Sequence, residues 1–122
     1  MDIQDALITF DALSQETRLR AFRLLVEHGM DGAPAGTLSD QLGIPHNTLS
    51  FHLSHMSNAG LLVSRKEGRS VIYTVDFAAF QDLLRFMVDD CCIKSVANTR
   101  DSKTSGFSTV IELSELEGCC EK

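Results

Sequence analysis

Four cysteines stand in two adjacent pairs, Cys91-Cys92 and Cys119-Cys120, in a chain of 122 residues. Neighbouring Cα atoms lie ~3.8 Å apart, below the roughly 4.4–6.8 Å of ordinary disulfides, so neither pair closes on itself with ease. Adjacent thiols do suit a large soft centre that takes two sulfurs from one side, with a third supplied by the other pair. Asp89 and Asp90 precede the first pair, where apolar spacing predicts the C-terminal end of a helix. That acidic setting raises thiol pKa values, whereas a nucleophilic cysteine needs electropositive surroundings. A dithiol reductase would want its thiol at a helix N-terminus in a βα unit, the opposite placement. No triad, phosphate loop or paired-carboxylate site appears, so the expectation is a protein that is not an enzyme.

A second group of chemistry-bearing residues, His46, Asn47, Ser50 and Phe51, lies in the stretch Pro34 to Gly60. This stretch reads as two helices joined by a sharp turn. Leu38 and Leu42 give the first helix one apolar face, and Gly43 ends it where a left-handed residue is common. Ile44 plugs the corner, and Pro45 begins the next helix at no cost, since a first-turn N–H has no intrahelical partner. Leu49, Leu53 and Met56 bury one side of that second helix, which stops at Gly60. Its other side shows the four residues named above. Small hydrogen-bonding groups near a helix N-terminus suit the major groove of DNA, where Asn pairs bidentately with adenine. Phe51 suits a thymine methyl. His52 reads as an internal buttress of the same helix.

The flanking elements follow from periodicity. Ile3, Ala6, Leu7, Phe10 and Leu13 form one apolar stripe on a first helix. Ser14 is expected to cap a second, which buries Leu19, Phe22, Leu25 and Val26 and ends at Gly29. Arg18, Arg20 and Arg23 on it read as a solvated face, and Met30 to Pro34 as a turn-rich connection. After Gly60 the period changes to 2. Leu61, Val63 and Arg65 run out to the tip Lys66-Glu67-Gly68-Arg69, and Val71, Tyr73 and Val75 run back, a β-hairpin. Such a wing places Arg65, Lys66 and Arg69 within reach of phosphate. Phe77, Phe80, Leu84, Met87, Val88 and Cys91 form a seam on a last helix, Phe77 to Cys92. Beyond Ile93 the pattern is lost, and residues 94–122 read as a flexible C-terminal tail carrying the second cysteine pair.

The expected fold is therefore mainly α with a β-hairpin wing: a winged helix-turn-helix domain over residues 1–93. Its first and last helices carry more apolar surface than a small domain needs, which predicts a homodimer through the N- and C-terminal helices. The net charge of −6 opposes DNA, but its distribution does not. Residues 41–75 carry +2 and three histidines, while each flank carries −4. No apolar run approaches the ~20 residues that span a bilayer, and no secretion signal is seen. A reducing cytoplasm, in which the cysteines are thiols, is the expected compartment.

The order helix, helix, helix-turn-helix, wing, last helix, with LSQETRLRAFRLL, NTLSFHL and NAGLLVSRKEGRSVIY in place, resembles the ArsR/SmtB family of bacterial metal-responsive repressors. The match covers roughly Ala6 to Cys92. It implies double-stranded operator DNA as partner, a homodimer, and an inducer that releases the DNA. Two departures matter. The cysteine pair that many members carry in the first helix of the helix-turn-helix is absent, because residues 35–40 contain no thiol. The His/Asp/Glu set of other members is absent too, because Phe77 to Asp90 contains no His. What remains, Cys91-Cys92, looks like the arsenite-responsive branch, with a vicinal pair at the end of the last helix.

Charge discriminates between occupants of the thiols. A four-cysteine zinc site is doubly anionic, and here it would adjoin Asp89, Asp90 and the negative end of a helix dipole. Arsenous acid exchanges hydroxyls for thiols with loss of water and gives a neutral product. The expected inducer is thus trivalent arsenic, arsenite or antimonite in kind, held by Cys91 and Cys92 with Cys119 or Cys120 as third ligand. No permanent cofactor is expected. The alternatives are a methylarsenite sensor needing only two thiols, a thiol redox switch, and a zinc or cadmium sensor.

Overall fold

The computed structural model describes residues 1–89. Cys91, Cys92, Cys119, Cys120, the boundary at residue 93 and the tail from 94 lie outside the described residues. Five helices and three short strands follow in the order α1 (Ile3–Leu13), α2 (Glu16–His28), β1 (Ala33–Pro34), α3 (Ala35–Leu42), α4 (His46–Asn58), β2 (Leu62–Glu67), β3 (Ser70–Val75) and α5 (Phe77–Val88). A single 3₁₀ turn, Gly29–Asp31, joins α2 to β1. The sheet is antiparallel with order β1-β3-β2, so the wing hairpin carries a third, two-residue strand on its β3 edge. The architecture is a winged helix-turn-helix.

The core is where the helices converge on the base of the wing. Leu25, Leu38, Leu49, Leu53, Met56, Leu61 and Val75 are fully buried. Phe22 and Phe80 meet edge to face at 5.2 Å, which pins α5 onto α2.

Four local expectations are corrected. Ser14 does not cap α2: Gln15 does, its side chain accepting from Arg18 N at 2.9 Å, while Ser14 closes α1 by donating to Asp11 O. Leu19 is not core; it is 45% exposed, and Ala21 is buried in its stead, because the apolar arc of α2 centres on Phe22 and Leu25. On β3 the covered residues are Ile72, Thr74 and Val75, with Val71 exposed, because the wing outruns the core and only its base is covered. On α5, Leu83 is the buried residue of the helix and Met87 is 56% exposed.

The stripe on α1 divides: Ala6 and Leu13 pack inward as expected, while Ile3, Leu7 and Phe10 do not. Ala6, Thr9 and Ala12 are the buried residues of the helix, and small side chains there let α1 approach its neighbours closely. Ile3, Leu7, Ile8 and Phe10 stay 41–63% exposed.

Candidate nucleic-acid interface

The interface is built by the turn between α3 and α4. Gly43 takes φ 68°, ψ 32°, the left-handed conformation in which a Cβ is strained, and its N–H donates to Ser39 O at 2.9 Å. The chain then bends back so that Ile44 N donates to the same carbonyl at 3.2 Å. The Ser39 hydroxyl donates to Ile44 O. Ser39 thereby closes the corner from both sides. Nothing in a sequence pattern of apolar residues and breakers distinguishes it from any other helical serine.

Leaving that corner, α4 buries Leu49, Leu53 and Met56 and turns the rest of its N-terminal half outward. His46, Asn47 and Thr48 are exposed, Ser50 is half-buried, and Phe51 is 69% exposed. The expected reading residues are therefore open to solvent, Ser50 in part, and Thr48 joins them. Pro45 offers no capping side chain, so the first amides of α4 have no side-chain acceptor and point the positive end of the helix outward. The Phe51 ring meets that of His52 edge to face at 5.8 Å and lines an open groove with Leu7 and Ile8 of α1.

The wing supplies the cations, but not all three alike. The Arg65 guanidinium turns back onto its own domain. Its Nη2 donates to Asp31 O at 2.8 Å, Nη1 to Thr74 Oγ1 at 3.2 Å and to Met30 O at 3.5 Å, and Nε to Glu67 Oε1 at 3.0 Å. It thereby fastens β2 to the 3₁₀ turn and occupies Glu67, the one acid of the wing. Contact with phosphate would require Arg65 to release these partners. Lys66 and Arg69 flank the Gly68 tip, exposed and with no acid paired to them among the described residues.

Behind α4, two imidazoles face the end of α1. His52 is half-buried, and its Nδ1 lies 3.3 Å from Arg18 Nη1. Burial, then the Arg18 charge, then His55 hold its pKa below the usual histidine value. Arg18 also donates through Nε to Ala12 O at 2.6 Å and through Nη2 to Asp11 O at 3.5 Å. His55 Nε2 stands 3.6 Å from Asp11 Oδ2. The three arginines of α2 thus divide: Arg18 is structural, Arg20 pairs with Glu16 at 2.8 Å, and Arg23 is exposed. Among the described residues no group of three His, Cys, Asp or Glu side chains could hold a metal.

Residues 13–65, from the end of α1 into the wing, match the family model of a helix-turn-helix domain. An uncharacterized HTH-type transcriptional regulator of Methanocaldococcus jannaschii is 37% identical over 68 residues, covering 55% of this chain and 74% of that one. The chain belongs to the helix-turn-helix transcriptional regulators. An ArsR-like transcriptional regulator from Rhodococcus sp. RHA1 has the same fold, with TM-score 0.61 at 22% identity over 88% of this regulator and 92% of that chain. A crystal structure described as a possible transcriptional regulator for arsenical resistance superposes with TM-score 0.51 at 25% identity, covering 75% and 95%. Among the described residues of this regulator no helix is long and apolar enough to cross a membrane. The polar start of α4 and the wing-tip cations Lys66 and Arg69 are exposed in it.

Proposed function

We propose that this regulator is a homodimeric repressor of the ArsR family that leaves its operator when trivalent arsenic binds its cysteines. Base reading is assigned to His46, Asn47 and Ser50, with Phe51 against a thymine methyl. Phosphate contact is assigned to Lys66 and Arg69, with Arg65 holding the wing that carries them. What supports the DNA half is the uncapped, polar and exposed start of α4, together with two exposed wing-tip cations that pair with no acid among the described residues. The arsenic half rests on the doubled cysteine pairs and their acidic setting in the sequence, and on likeness to a protein described in terms of arsenical resistance.

Two protomers would place their recognition helices in successive major grooves, so the operator should be a pseudo-palindrome with half-sites ~34 Å apart. Cys91 and Cys92 would hold the arsenic, and Cys119 or Cys120 would supply the third sulfur. These groups are remote in sequence from α4, so release must work by shifting how the protomers pack, a coupling typically worth ~1–3 kcal/mol. The test is a titration of DNA release against arsenite, methylarsenite, antimonite, zinc and peroxide. Release by arsenite under strong reductant supports the reading. Release by peroxide alone makes the thiols a redox switch, and release by zinc alone makes them a metal site of another kind.

A further inference from the structure

The polar contacts behind α4 form a bracket between the first helix and the DNA-reading helix. One side chain, Arg18, holds both ends of it. Its Nε takes the terminal carbonyl Ala12 O of α1 at 2.6 Å, and its Nη2 reaches Asp11 O at 3.5 Å, a carbonyl that Ser14 also donates to. Its Nη1 takes His52 Nδ1, one turn beyond Leu49 on α4. Arg18 is itself fixed, since its backbone N–H donates to Gln15 Oε1 at the cap of α2. The second contact between the same two helices, His55 with Asp11, is longer and lies at the surface, with side chains 36% and 75% exposed.

An arginine has five donors and no acceptor. The nitrogen that faces it must therefore present a lone pair, which fixes the proton of neutral His52 on Nε2. Protonation of Nδ1 replaces an acceptor with a donor and sets two cations 3.3 Å apart. The charged groups that face His52 are Arg18 from α2 and His55 from α4 itself, with Asp11 of α1 engaged by His55. Among the described residues no acid compensates the ring at Nδ1.

We infer that Arg18 and His52 are positioning residues for DNA reading, whose contact sets the pose of α4 against α1 only while the His52 ring is neutral. Acidification opens the bracket and lets α4 shift against the helix it is registered on. Because the folded protein disfavours His52 protonation, its contribution to stability is full above about pH 6.5 and is lost as pH falls through the lowered folded value.

The inference takes α4 as the DNA-reading helix, so one arm of its test uses no DNA. The full chain is titrated from pH 8 to pH 5.5 by ¹H–¹⁵N NMR, as wild type and as His52→Asn, in which Oδ1 keeps an acceptor near the Nδ1 position without a proton to gain. The amides of Asn47 to Phe51 and of Leu13 should move with the midpoint of the His52 ring in the wild type and lose that component in the variant. In the second arm, a duplex recovered by in vitro selection at pH 8 is bound by both proteins over the same range. Wild type should lose about fivefold more affinity on acidification than His52→Asn, a fraction of the tenfold that one pKa unit represents. His55→Asn should follow the wild type. If His52→Asn keeps the wild-type amide movements, or wild-type amides at the start of α4 ignore the His52 midpoint, the bracket does not position α4. The second criterion needs no variant and stands even where His52→Asn fails to fold. Failure to recover any duplex would remove the DNA reading while leaving the NMR arm to decide the bracket.

Discussion

Asn47 and Arg69 are expected to fail differently. A side-chain amide at the start of α4 can discriminate between base edges, and a good bidentate pair is worth ~1–3 kcal/mol. Asn47→Ala should therefore reduce preference for the operator over random duplex by about tenfold or more, with little change on random DNA. Arg69 is exposed at the wing tip, and the role proposed for it is phosphate contact. Arg69→Ala should weaken every sequence and lower the slope of log K against log salt by about one. Arg65→Ala should weaken binding with a smaller change in slope, because its guanidinium already serves Asp31, Thr74, Met30 and Glu67. Electrophoretic or fluorescence titrations at several salt concentrations separate the three. A full unit of slope lost with Arg65 would mean that it turns outward to phosphate on the complex. The exposed face of α4 was legible because Leu49, Leu53 and Met56 fix which side is inward. The roles of Arg65, Arg18 and Ser39 were not, because a long polar side chain can reach any acceptor within several ångströms and its sequence neighbours do not say which.

At the scale of elements, the wing depends on a turn whose importance the sequence understated. Gly32 has φ 67°, and a Cβ there would lie 2.3 Å from Tyr73 O and 2.7 Å from Thr74 Oγ1. This close approach lets β1 pair with β3 through Ala33↔Tyr73 and Pro34↔Ile72, and it brings Asp31 O to Arg65. Gly32→Ala must strain its own backbone or displace β3. It should lower unfolding free energy by about 2 kcal/mol or more, read from the urea midpoint. Gly43→Ala has open space around the new methyl and only the left-handed backbone to strain, so about 1 kcal/mol is expected. If the two substitutions cost the same, the contact at Gly32 is not what holds the turn. In the sequence Gly43 announces itself between two apolar periods, whereas Gly32 lies in a run of turn-formers where a two-residue strand leaves no period to detect. The same limit explains β3. Alternation was visible, but which face is covered depends on how far the wing protrudes beyond the core.

At the scale of the whole molecule, the unanswered surface is that of α1. With Ala6, Thr9 and Ala12 turned inward, the large residues Ile3, Leu7, Ile8 and Phe10 are left facing water, and Met87 of α5 is exposed as well. An open groove of about 640 Å³ runs between Leu7, Ile8 and Asp11 of α1 and Phe51, Ser54 and His55 of α4. Scattered exposed apolar residues are ordinary, but several large ones on one short helix mark an interaction face. A second protomer on that face would tether two recognition helices at fixed spacing, and linking two binding modules typically adds 10²–10⁴ in affinity without any new contact to DNA. Replacing Leu7 and Ile8 together by Glu should convert a dimer to a monomer in sedimentation velocity. It should reduce operator affinity by about a hundredfold and leave thermal stability of the domain little changed, since both side chains are more than half exposed. Single half-sites should be bound about equally by variant and wild type. If the variant stays dimeric, α1 is not the interface and its apolar face meets another partner. If it becomes monomeric yet binds the full operator as tightly as before, each domain reads DNA alone, and release by rearrangement between protomers loses its physical basis.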